Sequence, residues 1–526
     1  MELLARFERT VALQPDKPAI IYFSTRTGMW ERITYRSLFD QTQRFVSGLG
    51  ACSLTPGAIA VVMTPPSAEF FPFALALLKF GIVPVILDPA VGLRKVSEII
   101  RESKPEIFFG NRLTHTLRIL FGWGNNSIKH NLTIDSLLRA SHREAHVSQS
   151  ILRNNTVAVI YTSGSTGLPK GAVYAPANFA AQLELLQNTF RISADEIDLP
   201  AFPLYLLIDI LFGVTAVVPD ISFPVPGKTD PHKTISAIQR FNVTNMFASP
   251  IVLKILAGET HRSSNNKLIS LKRVITAGAP ATIQLQEKFR QLLDDHTDLF
   301  GIYGATETLP IAKVESREIF ALKEKTAQGA GVCLGRPIAG VTVRIIPITD
   351  EPIAEWAESL AVESNVVGEI TVQSRATTRE YFYREESNRL SKIKFGEEII
   401  HRMGDVGYFD AQGRLWYYGR KSHRVITPED VMFTEQVENI FNAHPLVKRT
   451  ALVEVNGRPI LWVELERDVK TSKDGIINEL KEFAQDHRQA SQIAAFLFAG
   501  KFPTDARHNS KIIREELKAL AERKVS

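Results

Sequence analysis

A chain of 526 residues with 44% hydrophobic and 23% charged residues has ordinary globular usage, which excludes a disordered or fibrous class and leaves room for two to four domains. Its formal charge of +5 comes without a dense Lys/Arg block or a basic stripe interleaved with aromatics, so no nucleic-acid surface is expected. The two cysteines, Cys52 and Cys333, form neither a metal-ligand spacing nor a disulfide framework, which fits a reducing cytoplasm.

The first residues, Met1 to Arg9, lack an apolar signal core and read as the start of an amphipathic helix. Lys17 to Phe23 and Trp30 to Thr34 are strand-like, and Tyr35 to Leu49 has helical spacing. Gly57 to Met63 reads as a strand, Ser67 to Phe80 as a helix capped by Ser67 and closed by Gly81, and Ile82 to Leu87 as the next strand. This βαβ pattern, repeated through Leu93 to Ser103 and Glu106 to Phe109, predicts a parallel sheet covered by helices. Asn111 to Asn154 is polar and reads as irregular surface structure. The most apolar window, Leu199 to Ile221, is interrupted by Pro203, Asp209, Gly213 and Pro219, so it predicts a buried strand and helix rather than a membrane span.

Alternation continues with a helix over Lys233 to Arg240, a strand over Val243 to Phe247, a helix from Pro250 and strands over Lys272 to Thr276 and Asp298 to Ile302. From Gly331 the texture is β-rich: Val332 to Pro347, Val366 to Ser374, and Arg402 to Arg420 around an Asp410–Gly413 turn. The last hundred residues read as a separate βα unit, with helices at Thr434 to Ala443, Gly475 to His487 and Lys511 to Glu522 and a hairpin at Asn456-Gly457.

Chemistry concentrates where strands end. The apolar run Thr156 to Ile160 leads into Tyr161-Thr162-Ser163-Gly164-Ser165-Thr166-Gly167-Leu168-Pro169-Lys170-Gly171. Its glycines let the backbone approach a ligand, its hydroxyls and amides suit phosphate oxygens, and Lys170 adds charge. It is not the nucleoside-triphosphate loop G-x-x-x-x-G-K-[ST], because Lys170 stands three residues after Gly167 and precedes another glycine. Two further strands run into Gly278-Ala279-Pro280 and Tyr303-Gly304-Ala305-Thr306-Glu307. In a parallel sheet these ends share one edge, so one site can draw on all three.

The loop resembles the phosphate loop of the adenylate-forming superfamily of acyl-CoA synthetases, peptide-synthetase adenylation domains and luciferases, and the likeness runs over nearly the whole chain. It implies an α/β fold: an N-terminal AMP-binding domain over 1–420, with a β-rich subdomain from about 331, and a small mobile α+β domain over 421–526. It implies ATP and Mg²⁺, with Thr162 to Gly167, Lys170 and Thr306 on phosphates and Glu307 on the metal. Tyr303, Gly304 and the Gly278-Ala279-Pro280 turn would meet adenine, and Asp405 and Arg420 the nucleotide's ribose side. Lys511, in Pro503-Thr-Asp-Ala-Arg-His-Asn-Ser-Lys511, would be the catalytic lysine that swings in, with Ser422 at the hinge.

Members that make thioesters carry a Gly-rich stretch past the hinge, whereas this chain reads Arg424-Val-Ile-Thr-Pro-Glu-Asp430 and has no glycine between Gly419 and Gly457. With Phe202-Pro-Leu-Tyr, Val218-Pro-Asp220 and Thr229-Asp-Pro231, the chain is similar to the olefin β-lactone synthetases of long-chain hydrocarbon biosynthesis. That resemblance implies adenylation of a long-chain 2-alkyl-3-hydroxy acid and closure to a β-lactone, with a ketoreductase and a β-lactone decarboxylase as pathway partners. Phe202, Leu204, Leu206 and Ile208 would wall the alkyl chain, although the same stretch reads equally as core packing. The rival readings are a fatty acyl-CoA or acyl-AMP ligase and an inactive nucleotide-binding assembly protein.

Overall fold

The computed structural model describes residues 2–87, 91–142, 155–161, 169–219, 225–259, 267–466, 469, 471–504 and 511–525. Two helix-covered sheets and a smaller third one organise the chain. The first has six strands among the described residues, in the order His130–Leu132, Ile107–Gly110, Ile59–Met63, Val83–Ile86, Ala158–Tyr161, Gly171–Tyr174. All neighbours are parallel except the last pair, an antiparallel hairpin in which Tyr161 faces Gly171. Its strands carry the continuous apolar runs expected of a sheet buried on both faces: Val61, Val85, Phe108 and Val159 are all fully buried.

The second sheet starts from the Pro18–Ser24/Met29–Thr34 hairpin and runs through parallel strands Thr215–Val218, Ile197–Pro200, Asn245–Ala248, Arg273–Thr276 and Asp298–Ala305. There it turns antiparallel, through Thr308–Glu315, Val332–Pro337, Leu415–Arg420, Glu398–Phe409, Gly368–Ser374 and Val341–Ile346. The β-rich stretch is thus the continuation of the main sheet. The change of direction falls at Thr306–Glu307, a two-residue turn between paired Ala305 and Thr308. Gly304 is needed there because a Cβ would stand 2.8 Å from that of Leu309.

The C-terminal unit has strands Val447–Val455, Arg458–Leu465 and Ala495–Phe498, with helices Thr434–Asn442, Lys473–Ala484 and Arg514–Val525. It has its own apolar clusters, around Phe441, Leu461 and Leu480 on one face and Trp462, Phe502 and Leu517 on the other. The Trp462 indole N–H donates to the Leu517 carbonyl at 3.0 Å, fastening the last helix. Among the described residues no helix is long and apolar enough to cross a membrane.

Three expectations are corrected. Within the polar stretch after Asn111, residues 111–142 are regular, with helices Arg112–Leu120 and Ile134–Ala140 flanking a short strand and capped by Asn111 and Thr133, while 143–154 lie outside the described residues. The helix assigned to Ser67 begins at Phe70, and the Ser67 hydroxyl bonds the Glu69 carboxylate at 2.8 Å. The last helix begins at Arg514, leaving Lys511 in the half-buried approach to it, where Ile512 bridges to Thr504.

Candidate active site

Three strand ends and one connecting segment converge at the carboxyl edge of the sheets. Thr162 to Leu168, most of the expected phosphate loop, lie outside the described residues, but both strands that carry the loop are placed. Gly171 is dictated by the close approach of that hairpin, since a Cβ would meet the Val159 and Tyr161 side chains at 2.7 and 2.8 Å. Lys170 is half-buried, with its ammonium 5.3 Å from the centre of the Tyr381 ring. Burial pulls its pKa down, while the Glu307 charge acts against that shift.

Thr306 and Glu307 occupy the turn of the sheet's change of direction, and two bonds tie it to neighbours. The Tyr174 hydroxyl donates to the Thr306 carbonyl at 2.6 Å, and the Thr378 N–H donates to the Glu307 carbonyl at 2.8 Å. The Glu307 side chain is 8% exposed, and its Oε1 accepts the Tyr381 hydroxyl at 2.5 Å. Lys392, buried beside the same ring, donates to the Thr378 carbonyl at 2.6 Å, and desolvation lowers its pKa to about 7. Tyr381 and Lys392 escaped the sequence reading. The only local signal is the dense aromatic and charged run Arg379-Glu-Tyr-Phe-Tyr-Arg384.

On the antiparallel side, Asp405 and Arg420 face each other across adjacent strands. The Tyr303 hydroxyl donates to Asp405 Oδ2 at 2.6 Å, and Arg420 Nη1 lies 3.0 Å from Oδ1, though not aligned as a hydrogen bond to it. Burial raises the Asp405 pKa, with Arg420 and the Tyr303 bond pulling the other way. A buried carboxylate oxygen with a cation beside it but no aligned donor suits a ligand hydroxyl, the chemistry of a ribose. Gly278, at φ +91°, and Pro280 are exposed in the turn after Arg273–Thr276, on the same edge as Tyr303, while Ala279 is half-buried.

The structure therefore joins Lys170, Thr306 and Glu307 in one contact network and Tyr303, Asp405 and Arg420 in another. Lys511 is carried by the C-terminal unit. Of the expected acyl wall, Leu206 and Ile208 are buried in the main apolar cluster, whereas Phe202 and Leu204 are half-buried at the start of helix Pro203–Phe212. Beyond Arg420, the Lys421 ammonium bonds Thr349 O at 2.8 Å and Glu369 Oε2 at 3.1 Å, and Arg424 pairs with Asp350 at 2.5 Å. The Arg424–Asp430 stretch folds as a small ribbon, Val425–Ile426 against Val431–Met432, closed by Thr427–Asp430 bonds.

The loop strand belongs to the first sheet and not, as expected, to the same sheet as the other two strand ends. The lysine-bearing loop nevertheless meets the carboxylate turn of the second sheet at Tyr381, and with an Asp–Tyr pair suited to ribose they define a nucleotide-activating α/β enzyme. The AMP-binding enzyme family matches residues 7–382, and the chain belongs to that family as an ATP-dependent adenylate-forming enzyme. It is 38% identical over 505 residues to the olefin beta-lactone synthetase of Xanthomonas campestris pv. campestris, covering 92% of this chain and 90% of the relative. It is 37% identical over 508 residues to the protein of the same name from Stenotrophomonas maltophilia, covering 93% and 91%. In fold it matches the O-succinylbenzoate coenzyme A synthetase of Bacillus subtilis, solved with ATP and magnesium ion, with a TM-score of 0.77 at 21% identity over 98% of this chain and 99% of that one.

Proposed function

We propose that the enzyme adenylates a long-chain 2-alkyl-3-hydroxy acid and closes the acyl-adenylate to a β-lactone, releasing pyrophosphate and then AMP. The observation that carries this reading is the identity to two olefin beta-lactone synthetases over more than nine-tenths of the chain. The glycine-free Arg424–Asp430 ribbon supports it, because side chains there oppose the close backbone packing a pantetheine arm needs.

In the first step a carboxylate oxygen attacks the α-phosphorus and the bond to pyrophosphate breaks. Two anions must meet, so the site's task is to neutralise charge and hold the line of attack. We assign Lys170, with Thr162 to Gly167 and Thr306, to the phosphates. Tyr303, Gly304 and Gly278-Ala279-Pro280 are assigned to adenine, Asp405 and Arg420 to the ribose side, and Lys511 to the α-phosphate and the attacking carboxylate. Glu307 fits Mg²⁺: it is a buried carboxylate with one oxygen engaged by a neutral donor, and no side chain among the described residues donates to the other. Bound there, the cation would neutralise phosphate charge. In the second step the 3-hydroxyl oxygen attacks the acyl carbonyl carbon, its proton passes to solvent, and AMP leaves. Ring closure is intramolecular, so positioning by the pocket that starts at Phe202 and Leu204 supplies much of the rate.

The same reading divides the chain at Arg420 into domains 1–420 and 421–526, the second turning about Ser422, and places the enzyme in the cytoplasm. A ketoreductase would supply the hydroxy acid and a β-lactone decarboxylase would consume the product.

The test is mass spectrometry of products from enzyme, MgATP and a 2-alkyl-3-hydroxy acid, with and without CoA. The expected product is lighter than the acid by one water and forms with AMP whether or not CoA is present. A thioester formed only with CoA makes the enzyme a ligase instead, and nucleotide binding without pyrophosphate release makes it inactive. For the nucleotide assignment, Asp405→Ala is expected to weaken ATP binding about tenfold or more by calorimetry, the scale of hydrogen bonds to a charged group. Unchanged affinity returns Asp405 to a purely structural role.

A further inference from the structure

We propose that Tyr381 is a positioning residue, whose hydroxyl fixes the Glu307 carboxylate so that its second oxygen faces the phosphates and their divalent cation. The inference rests on the reading of Glu307 as a metal ligand and adds to it a residue that the phosphate-loop and Tyr303–Glu307 motifs do not contain.

A glutamate at a two-residue turn has three side-chain torsions and would sample several directions if nothing held its tip. Here the tip is held. Tyr381 is 5% exposed, and its hydroxyl donates to Glu307 Oε1 at 2.5 Å. Because the donor is neutral, the carboxylate keeps its full charge for a cation; a lysine in direct contact would cancel it. The ammonium of Lys392, beside the same ring, is directed instead to Thr378, at 2.6 Å from the carbonyl and 3.3 Å from the hydroxyl.

Tyr381 is itself immobilised on both sides. Its N–H donates to Asn388 Oδ1 at 2.7 Å, its carbonyl accepts from Asn388 Nδ2 at 3.2 Å, and it bridges to Ala172 in the strand that follows Lys170. The next residue, Phe382, donates its N–H to the Gly171 carbonyl at 2.8 Å. The Lys170 and Lys392 ammonium groups each lie 5.3 Å from the centre of the Tyr381 ring, within cation–π range. One short segment thus grips the loop strand by its backbone, Glu307 by both backbone and side chain, and Lys170 by its ring. Tyr381 sets the distance between the loop's lysine and the carboxylate across the two sheets.

The experiment is an electron paramagnetic resonance titration of the full-length enzyme with Mn²⁺, in the presence of a non-hydrolysable ATP analogue, run on wild type, Tyr381→Phe and Glu307→Gln. Phenylalanine keeps the ring and its packing, so the variant should stay folded, with a melting temperature within about 4 °C of wild type, and its analogue affinity without metal should match wild type. The Mn²⁺ dissociation constant should rise about tenfold, the loss of one hydrogen bond to a charged group. Wild-type Mn²⁺ affinity in Tyr381→Phe, with affinity lost in Glu307→Gln, leaves Glu307 as the ligand and reduces Tyr381 to packing, which overturns the proposal. Wild-type Mn²⁺ affinity in Glu307→Gln overturns the reading of Glu307 itself.

Discussion

Lys511→Ala is expected to slow adenylate formation by about 10²–10³-fold while leaving ATP affinity within about twofold of wild type, the pattern of a group that acts on charge developing in the transition state. The backbone that carries Lys511 is well held. Ile512 bridges to Thr504, and the Ile513 N–H donates to the Pro503 carbonyl at 3.0 Å. Three residues past Lys511, the Arg514 guanidinium makes a two-pronged contact with buried Glu438, at 2.5 and 2.9 Å. These anchors do not involve the Lys511 side chain, so they stay in place when it is truncated. Lys511→Arg, which keeps the charge but not the compact ammonium, should recover only part of the rate. Rapid-quench measurement of acyl-AMP from one turnover is the direct readout, and a wild-type rate in the alanine variant removes Lys511 from the chemistry.

The parts of the fold legible in the sequence were those in which local pattern and burial agree. The parallel strands announce themselves as unbroken apolar runs, and the Asn456-Gly457 hairpin by its turn residues. The Arg112–Leu120 helix was missed although Leu113, Leu117 and Leu120 recur at helical spacing, because the polar stretch around so short a period masked it and none of its residues is buried. Its capping box closes on Thr114, and that of Ile134–Ala140 on Ser136, rather than on the Glu or Gln that makes such boxes recognisable. At the site, the strand-end motifs were legible because their residues lie together in the chain. Tyr381 was not, since its partner Glu307 is 74 positions away. Lys392 was missed for a related reason: a lysine ordinarily lies in solvent, and nothing local says that this one is buried.

The same limit hid a pair of buried carboxyl groups whose titration should show in the enzyme's pH stability. Asp209, which in the sequence merely interrupts an apolar window, lies 1% exposed on helix Pro203–Phe212, against fully buried Asp198 in strand Ile197–Pro200. The nearby Arg273 is committed to Glu196, with both contacts at 2.6 Å, so it does not pair with either aspartate. Asn245 donates to Asp198, while Asp198 Oδ2, Asp209 Oδ2 and the Tyr205 hydroxyl are buried without a hydrogen-bond partner among the described residues, so two neighbouring carboxyl groups in a dry interior favour a proton on one of them. Desolvation pushes both aspartates above the ordinary carboxylate range. A carboxyl whose folded pKa is raised binds its proton more tightly in the native state than in the unfolded chain. Its contribution is therefore complete below the unfolded value of about 4 and is lost as pH rises toward and through the folded value. Asp209→Asn keeps the shape and a donor toward Asp198 but removes one ionisation. Relative to this variant, wild type is expected to lose up to about 1.4 kcal/mol of stability per pH unit above about pH 5, the linkage slope for one proton. Urea unfolding of both proteins between about pH 5 and pH 8 reads this difference directly. Parallel curves would mean that Asp209 is not the proton's site. Diverging curves would assign to this pair a titration that lowers the stability of the fold, with Asp209 on helix Pro203–Phe212, at whose start Phe202 and Leu204 open the proposed acyl pocket.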